Sequence, residues 1–346
     1  MEKNQDTKLE QTKSKVKLQG VITRLSTNDN AYTMGKTATK KEYKSLRFMI
    51  KTADKDGTVN EVPVELFGME QDNVYAYSRD KGEGQMFPFG NRNNLPEGYH
   101  MFGIRINLGE EGQNLHAYDA VDELFNNLQD GMEVYMNGHI ELSKYKGKDE
   151  VEREQKRFVI ESIGALKNGI DFESEEFVET AVFEQELVIV DVDVDKKEKK
   201  AYVTGRTISY GDKFNDGSFV INFGEDAELK DLAKIFSKLG FGDFLKVHGT
   251  VINRAVTVEA EEAEEPELDK SNPFAKHAGK EKHKSLNTRT TKNFVNELRI
   301  EGVDASTFDK KKYKEEDFVV AVKEEKVTAS ENPFLEKKEE EGEDLW

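Results

Sequence analysis

Lysine, arginine and tyrosine gather at three places in the N-terminal half of this chain. Ser26–Tyr43 holds Tyr32, Lys36, Lys40, Lys41 and Tyr43, and Arg24 stands just before it. The apolar run that follows turns Arg47, Met49 and Lys51 to the side opposite Leu46, Phe48 and Ile50. Ser143–Asp149 then brings Lys144, Tyr145, Lys146 and Lys148. Cations at this density neutralise phosphates, and interleaved rings offer flat faces on which unpaired bases stack. The chemistry implied is the holding of a single-stranded polyanion. Each residue also has an ordinary use, as solvated lysine or as core tyrosine. Convergence of three segments on one surface is what favours binding.

Nothing is spaced for catalysis. There is no cysteine, no HExxH pair, no phosphate-binding Gly-Lys loop and no GxSxG elbow. His100, His116, His139, His248, His277 and His283 are scattered without ligand spacing. Asp191, Asp193 and Asp195 alternate along one run and read as an acidic solvent face rather than a cation site. No enzyme activity, metal or cofactor is expected.

The charge is uneven. The net charge is −18 over 346 residues, yet residues 1–170 carry only −3 of it and residues 11–60 carry +7. A basic N-terminal stretch in an acidic chain is compatible with a local polyanion site. Apolar and charged residues are nearly balanced, at 36% and 35%, which is too polar for one compact body and predicts disordered segments. The polar N-terminus lacks an apolar signal core, and no run is long enough to span a membrane. The expectation is a soluble, cytoplasmic protein.

The elements that must position these residues are mostly strands. Alternation and β-branched runs predict strands at Lys15–Thr27, Lys44–Thr52 and Thr58–Phe67, with Gly20 bending the first. A short amphipathic helix, Val121–Leu128, ends at Asp130-Gly131, and strands follow at Met132–Tyr145 and Arg157–Leu166. Three strands, a helix and two strands form the order of the OB-fold, a five-stranded barrel. Its binding groove crosses strands 2 and 3 between the first and last loops, where the Lys/Tyr clusters fall. An aromatic, Gly-rich insertion at about 70–118 adds Tyr75, Tyr77, Arg79, Lys81, Phe87, Phe89 and Arg92.

The second half repeats the order. Strands are predicted at Val182–Val194, Ala201–Tyr210 and Ser218–Phe223, then a helix at Ala227–Leu239, then strands at Phe244–Asn253 and Asn293–Ala305. The helix carries Leu229, Leu232, Ile235, Phe236 and Leu239 as one stripe and stops at Gly240. MEVYMNGHIEL and DFLKVHGTVIN both place a glycine in mid-strand after the helix. The expected fold is mainly β: two tandem OB-fold barrels, each with one helix between strands 3 and 4. Residues 1–14 would be disordered, 15–170 the first barrel, and 180–306 the second with a disordered loop at about 255–291. Residues 307–328 would form a short extension and 329–346 an acidic tail. A weaker second groove is available from Tyr202, Arg206, Tyr210, Lys213, Phe214 and Arg254. Asn-Pro-Phe occurs at 272–274 and again at 332–334, as a docking motif or as simple turn propensity.

Three features together resemble the single-stranded DNA-binding proteins of bacteria and bacteriophages. They are KVKLQGVITRL at Lys15–Leu25, GHIELSKYKGKDEVEREQKRFVIESIGAL at Gly138–Leu166, and the acidic ending EEEGEDLW. The resemblance implies a protein that coats single-stranded DNA in replication, recombination and repair. It implies recruitment of a polymerase, primase, helicase or recombinase through Glu343, Asp344, Leu345 and Trp346. The family's tail usually ends in Pro-Phe, whereas this one ends in Leu-Trp. Two folds and a long insertion look like a large-phage form, acting as a monomer or low homo-oligomer in the host cytoplasm. Two other readings stay open: an OB-fold adaptor making protein contacts, and an RNA-binding protein.

Overall fold

The computed structural model describes residues 9–55, 58–147, 150–258 and 291–318. The expected loop at 255–291, both Asn-Pro-Phe triplets, the acidic tail and Lys148 therefore lie wholly or largely outside the described residues.

The described chain is mainly β. Strands β1 (Ser14–Thr23), β2 (Tyr32–Lys36), β3 (Glu42–Lys55) and β4 (Thr58–Met69) come first. The insertion contains five further strands: β5 (Asn73–Ser78), β6 (Glu83–Pro88), β7 (Tyr99–Met101), β8 (Ile104–Asn107) and β9 (Gln113–Leu115). Helix α1 (Ala117–Asn127) precedes β10 (Glu133–Lys146) and β11 (Glu152–Ala165). The second half has β12 (Ala181–Asp195), β13 (Lys200–Ile208), β14 (Phe214–Asn222), α2 (Ala227–Phe236), β15 (Phe244–Val258) and β16 (Thr291–Asp309). Single helical turns lie at Phe89–Asn91 and Glu315–Phe318, the latter within the expected 307–328 extension.

The strands of each half pair in a circuit. In the first, β1 pairs with β3, β3 with β4, β4 with β11, β11 with β10, and β10 with β1. The β4–β11 step is parallel, at Glu65 opposite Val159. In the second, β12, β13, β14, β16 and β15 repeat this order, and the parallel step is Val220 opposite Arg299. The two mid-strand glycines explain the repeated sequence pattern. Gly138 and Gly249 each sit at a register shift against the last strand of their half. A Cβ at Gly138 would lie 1.9 Å from the Val159 carbonyl oxygen, and one at Gly249 would lie 1.8 Å from that of Arg299. Only glycine lets the backbones approach this closely at the bulge.

Inward side chains of both halves merge into one core that includes Leu18, Ile22, Leu46, Ile50, Phe183 and Phe219. Helix α2 starts at Asp226, whose carboxylate accepts from the Glu228 and Leu229 amides at 2.8 and 3.1 Å. Such a cap contributes about 1 kcal/mol. Leu229, Leu232, Phe236 and Leu239 turn to the core, but Ile235, expected on the same stripe, is exposed. It lies at the edge of the apolar arc. The insertion folds into a separate three-stranded sheet, β6-β5-β7, over its own cluster of Val74, Phe87, Phe89, Tyr99, Met101 and Tyr118. Strands β8 and β9 instead extend the main sheet beside β11.

The halves are joined by β1–β12 and β4–β15 pairing and by a buried polar seam. The Asn60 amide nitrogen donates to Thr52 Oγ1, Glu179 Oε1 and the Val251 carbonyl at 3.0, 2.6 and 3.0 Å. Its oxygen accepts from the Asn253 amide at 2.7 Å. Both ends of the Asn60 carboxamide are thereby satisfied at a site shut off from water.

Candidate nucleic-acid interface

The outward residues of β3 and β4 alternate with the core residues, so Arg47 and Met49 share a face with Pro63 and Glu65. On one side the chain after β1 brings Arg24 and Asn28. On the other, β11 brings Gln155 and Arg157. Together they line a groove of about 430 Å³. Arg24, Arg47, Arg157 and the Glu65 carboxylate line it, with Met49 and Pro63 as its apolar floor.

The cations are held by carboxylates. Arg47 Nε donates to Glu65 Oε2 at 3.1 Å, and Arg157 Nη1 lies 3.5 Å from Glu65 Oε1. Arg157 Nη2 reaches Glu141 Oε2 at 2.8 Å. Arg24 pairs with Glu61, which also accepts from the Thr23 hydroxyl at 3.0 Å. Because the Glu65 side chain is only 13% exposed, it works as a fixed post for two guanidiniums. Planar guanidiniums present several donors, so one edge can be held while another faces a phosphate. Lys156, between Gln155 and Arg157, turns to the other face of β11 opposite Leu142 and has no salt-bridge partner among the described residues. Burial holds its ammonium below the ordinary lysine range, against the pull of Glu154 and Glu297.

Glu141 also joins His139, whose Nε2 lies 3.4 Å away while its Nδ1 lies 2.8 Å from Glu161. Hydrogen bonds to the two carboxylates raise the His139 pKa to about 9. A line of alternating charge thus runs from Arg47 through Glu65, Arg157, Glu141 and His139 to Glu161.

Of the residues expected at the site, Arg24 and Arg47 meet in this groove. Others are committed elsewhere. Tyr32 turns the opposite way: its hydroxyl donates to Asp122 on α1 at 2.9 Å, and its ring lies 4.7 Å from Phe125. Burial, then the Asp122 bond, raise its pKa. Tyr43 is 6% exposed, lying over Gly35 and stacked on Phe67 at 5.7 Å, so it offers no free face to a base. Lys36 and Lys41 pair with Glu42 and Asp72 at 3.4 and 2.9 Å, and Lys40 sits exposed in the turn between β2 and β3. Lys51 bonds Asp54 at 2.6 Å with its ammonium 5.5 Å from the Phe172 ring, so the connection between the halves covers that end.

Lys144, Tyr145 and Lys146 are on the β10–β11 hairpin, with Lys144 3.7 Å from Glu152. The hairpin is braced against the second half. Leu142 fills the space above Gly217, and Glu154 accepts from the Ser218 amide at 3.3 Å. Tyr75, Tyr77 and Arg79 belong to the separate insertion sheet and its following turn.

The second expected groove is largely used internally. Arg206 grips Asp216 with two bonds of 2.7 and 3.0 Å, and its guanidinium lies 4.5 Å from the rings of both Phe214 and Phe318. The segment after β16 thus folds back over that face. Arg254 bonds Glu179 at 2.5 Å in the seam. The Tyr202 hydroxyl donates to Glu198 at 2.5 Å, which pushes its pKa up to about 12. Tyr210 and Lys213 remain exposed in the turn after β13. Sequence reasoning missed Arg157. The signal was present, because the basic run Arg153-Glu154-Gln155-Lys156-Arg157 forms the start of the last strand of the circuit.

A family model described as YorF matches residues 13–341, and the chain belongs to that family. No curated protein matches the sequence. Among solved structures, wild-type single-stranded DNA-binding protein from Thermus aquaticus is 15% identical with a TM-score of 0.35, covering 70% of this chain and 87% of that one. A deletion mutant of the same protein is 13% identical with a TM-score of 0.36, covering 71% and 89%. Likeness at this level carries no argument about function.

Proposed function

We propose that this chain is a non-sequence-specific single-stranded DNA-binding protein built on two tandem OB-fold barrels, 15–170 and 180–306. The observation that carries this reading is the groove in which Arg24, Arg47 and Arg157 converge from three separate elements over an apolar floor. Cations tracking a backbone beside apolar surface are what sequence-tolerant binding requires, because phosphates are uniform and every base has a flat face. The strand circuit supports an OB-type barrel, since it has the order, the parallel closing step and the helix position of that fold. The first barrel then carries the groove. Internal use of Arg206, Phe214 and Arg254 favours a scaffold or protein-contact role for the second.

The acidic ending with Leu345 and Trp346 supports recruitment of replication or repair proteins, and a monomer or low homo-oligomer in the cytoplasm is the form proposed. Deleting residues 336–346 then raises DNA affinity modestly at low salt and abolishes capture of those partners, while unchanged capture would remove the recruitment reading. The reading itself is tested by titrating the purified full chain with labelled dT, rU and duplex oligonucleotides. Tight binding to dT with weak binding to duplex supports it. Preference for rU over dT moves the ligand to RNA, and no dT binding at about 50 mM salt removes the reading.

A further inference from the structure

The insertion sheet has a solvent face that the groove does not account for. Tyr75, Tyr77, Gly84, Met86 and His100 alternate onto one side of β5, β6 and β7, and Phe102 follows directly. The opposite side buries its own apolar cluster. Phe102 is 72% exposed, Met86 57% and Tyr75 47%. An exposed apolar group of this size marks a contact surface.

The shape of the face says what it contacts. The Tyr75 and Phe102 rings are within 7° of parallel, with centroids 6.2 Å apart. Tyr75 lies flat over Gly84, where a Cβ would stand 1.7 Å from its hydroxyl oxygen. Glycine at this position leaves the ring lying along the sheet, not standing out as a knob. Flat rings on an open sheet are suited to stacking with planar groups, and they form no pocket for a branched side chain. Charge points the same way. One residue in five of the chain is acidic, with 69 Asp and Glu in 346 residues, yet none of the six face residues is a carboxylate, nor are positions 73 and 88. Exposed Arg79 and Lys81 flank Asp80 in the turn that follows β5.

We propose that the outer face of the β5–β6–β7 sheet is a second nucleic-acid site, a platform on which Tyr75 and Phe102 stack bases of the strand held in the groove. The proposal rests on the single-strand reading given above and adds a contact outside both strand circuits. It makes the footprint on a strand longer than the groove alone would give.

The test uses the full chain, a ladder of dT lengths, and oligonucleotides carrying photoreactive 5-iododeoxyuridine. Tyr75→Ala with Phe102→Ala should bind long dT roughly tenfold or more weakly, because two stacking faces are removed. It should bind the shortest bound lengths as the wild type does, with an unchanged thermal melt. Crosslinks on long oligonucleotides should map to residues 73–102. A double variant equal to wild type at every length, with crosslinks only in the groove, overturns the platform and leaves the groove reading standing. Undiminished binding by Arg47→Ala with Arg157→Ala, beside weakened binding in the platform variant, overturns the groove reading instead. A wild-type chain that binds no dT overturns both. A wild-type dimer that Phe102→Ala splits, with DNA binding unchanged, assigns the face to a second copy and overturns the platform.

Discussion

Arg157 on β11 meets Glu65 on β4 at 3.5 Å, across the parallel step that closes the first circuit of strands. The same carboxylate holds Arg47 on β3 at 3.1 Å. A fold contact and the geometry of the groove are therefore one feature. Two guanidiniums fixed on one buried post give up little side-chain freedom when a phosphate arrives. A flexible exposed lysine gives up more.

That difference gives the first prediction. Arg157→Ala weakens dT binding by about 1–2 kcal/mol, alike for all sequences, and lowers the salt slope by about 0.7. Lys146→Ala, on the exposed hairpin, costs less than half as much. Anisotropy titrations at stepped salt compare the two.

His139 makes stability depend on pH. Its folded pKa of about 9 lies above the ordinary value of 6.5. Protonation therefore favours the folded state, and the contribution is complete below about pH 6.5 and disappears as pH rises through about 9. Its size is on the order of 1–3 kcal/mol. Urea unfolding at about pH 6 and about pH 10 should show this decrease in the wild type and a flatter profile in His139→Gln.

Arg206 is predicted to matter for folding and not for DNA. Its Asp216 grip and two flanking rings make Arg206→Ala cost about 3 kcal/mol, because the carboxylate is left without its partner and the aromatic cluster without its filling. Under conditions where the variant stays folded, its dT affinity should equal that of the wild type. A selective drop in affinity would restore Arg206 to a binding groove.

The contrast between Arg47 and Arg206 shows what the sequence makes visible. Both stand on the second strand of their half, on the outward face, and both carry the expectation of binding. Strand alternation sets the face correctly in each case. It does not reveal that residues 313–318, about a hundred positions later, fold over Arg206 and leave Arg47 facing the groove. Tyr32 and Tyr43 show the same limit, because a ring's neighbours across strands are set by register. Helix α2 and the paired glycines at 138 and 249 are visible, since each depends on local periodicity or a repeated local pattern. The strands of the insertion are hidden by short length and dense glycine. The role of Arg157 depends on a pairing with β4 nearly a hundred residues away.

Asn60 is the residue whose replacement should uncouple the halves. Asn60→Leu removes its bonds to Thr52, Glu179, Val251 and Asn253 and leaves Glu179 and Arg254 poorly matched in the seam. A destabilisation of about 3 kcal/mol or more is expected, with urea unfolding changing from one transition to two. Circular dichroism and tyrosine fluorescence should then report separate midpoints.

The groove between β3, β4 and β11 is proposed to hold a single strand through its phosphates. The most direct measurement is the dT binding constant against salt concentration for the wild type and for Arg24→Ala/Arg47→Ala/Arg157→Ala. The wild type should show a steep fall, and the triple variant a slope shallower by about 2, at about 0.7 for each phosphate no longer neutralised. Equal slopes in the two proteins, with equal affinity, would contradict it.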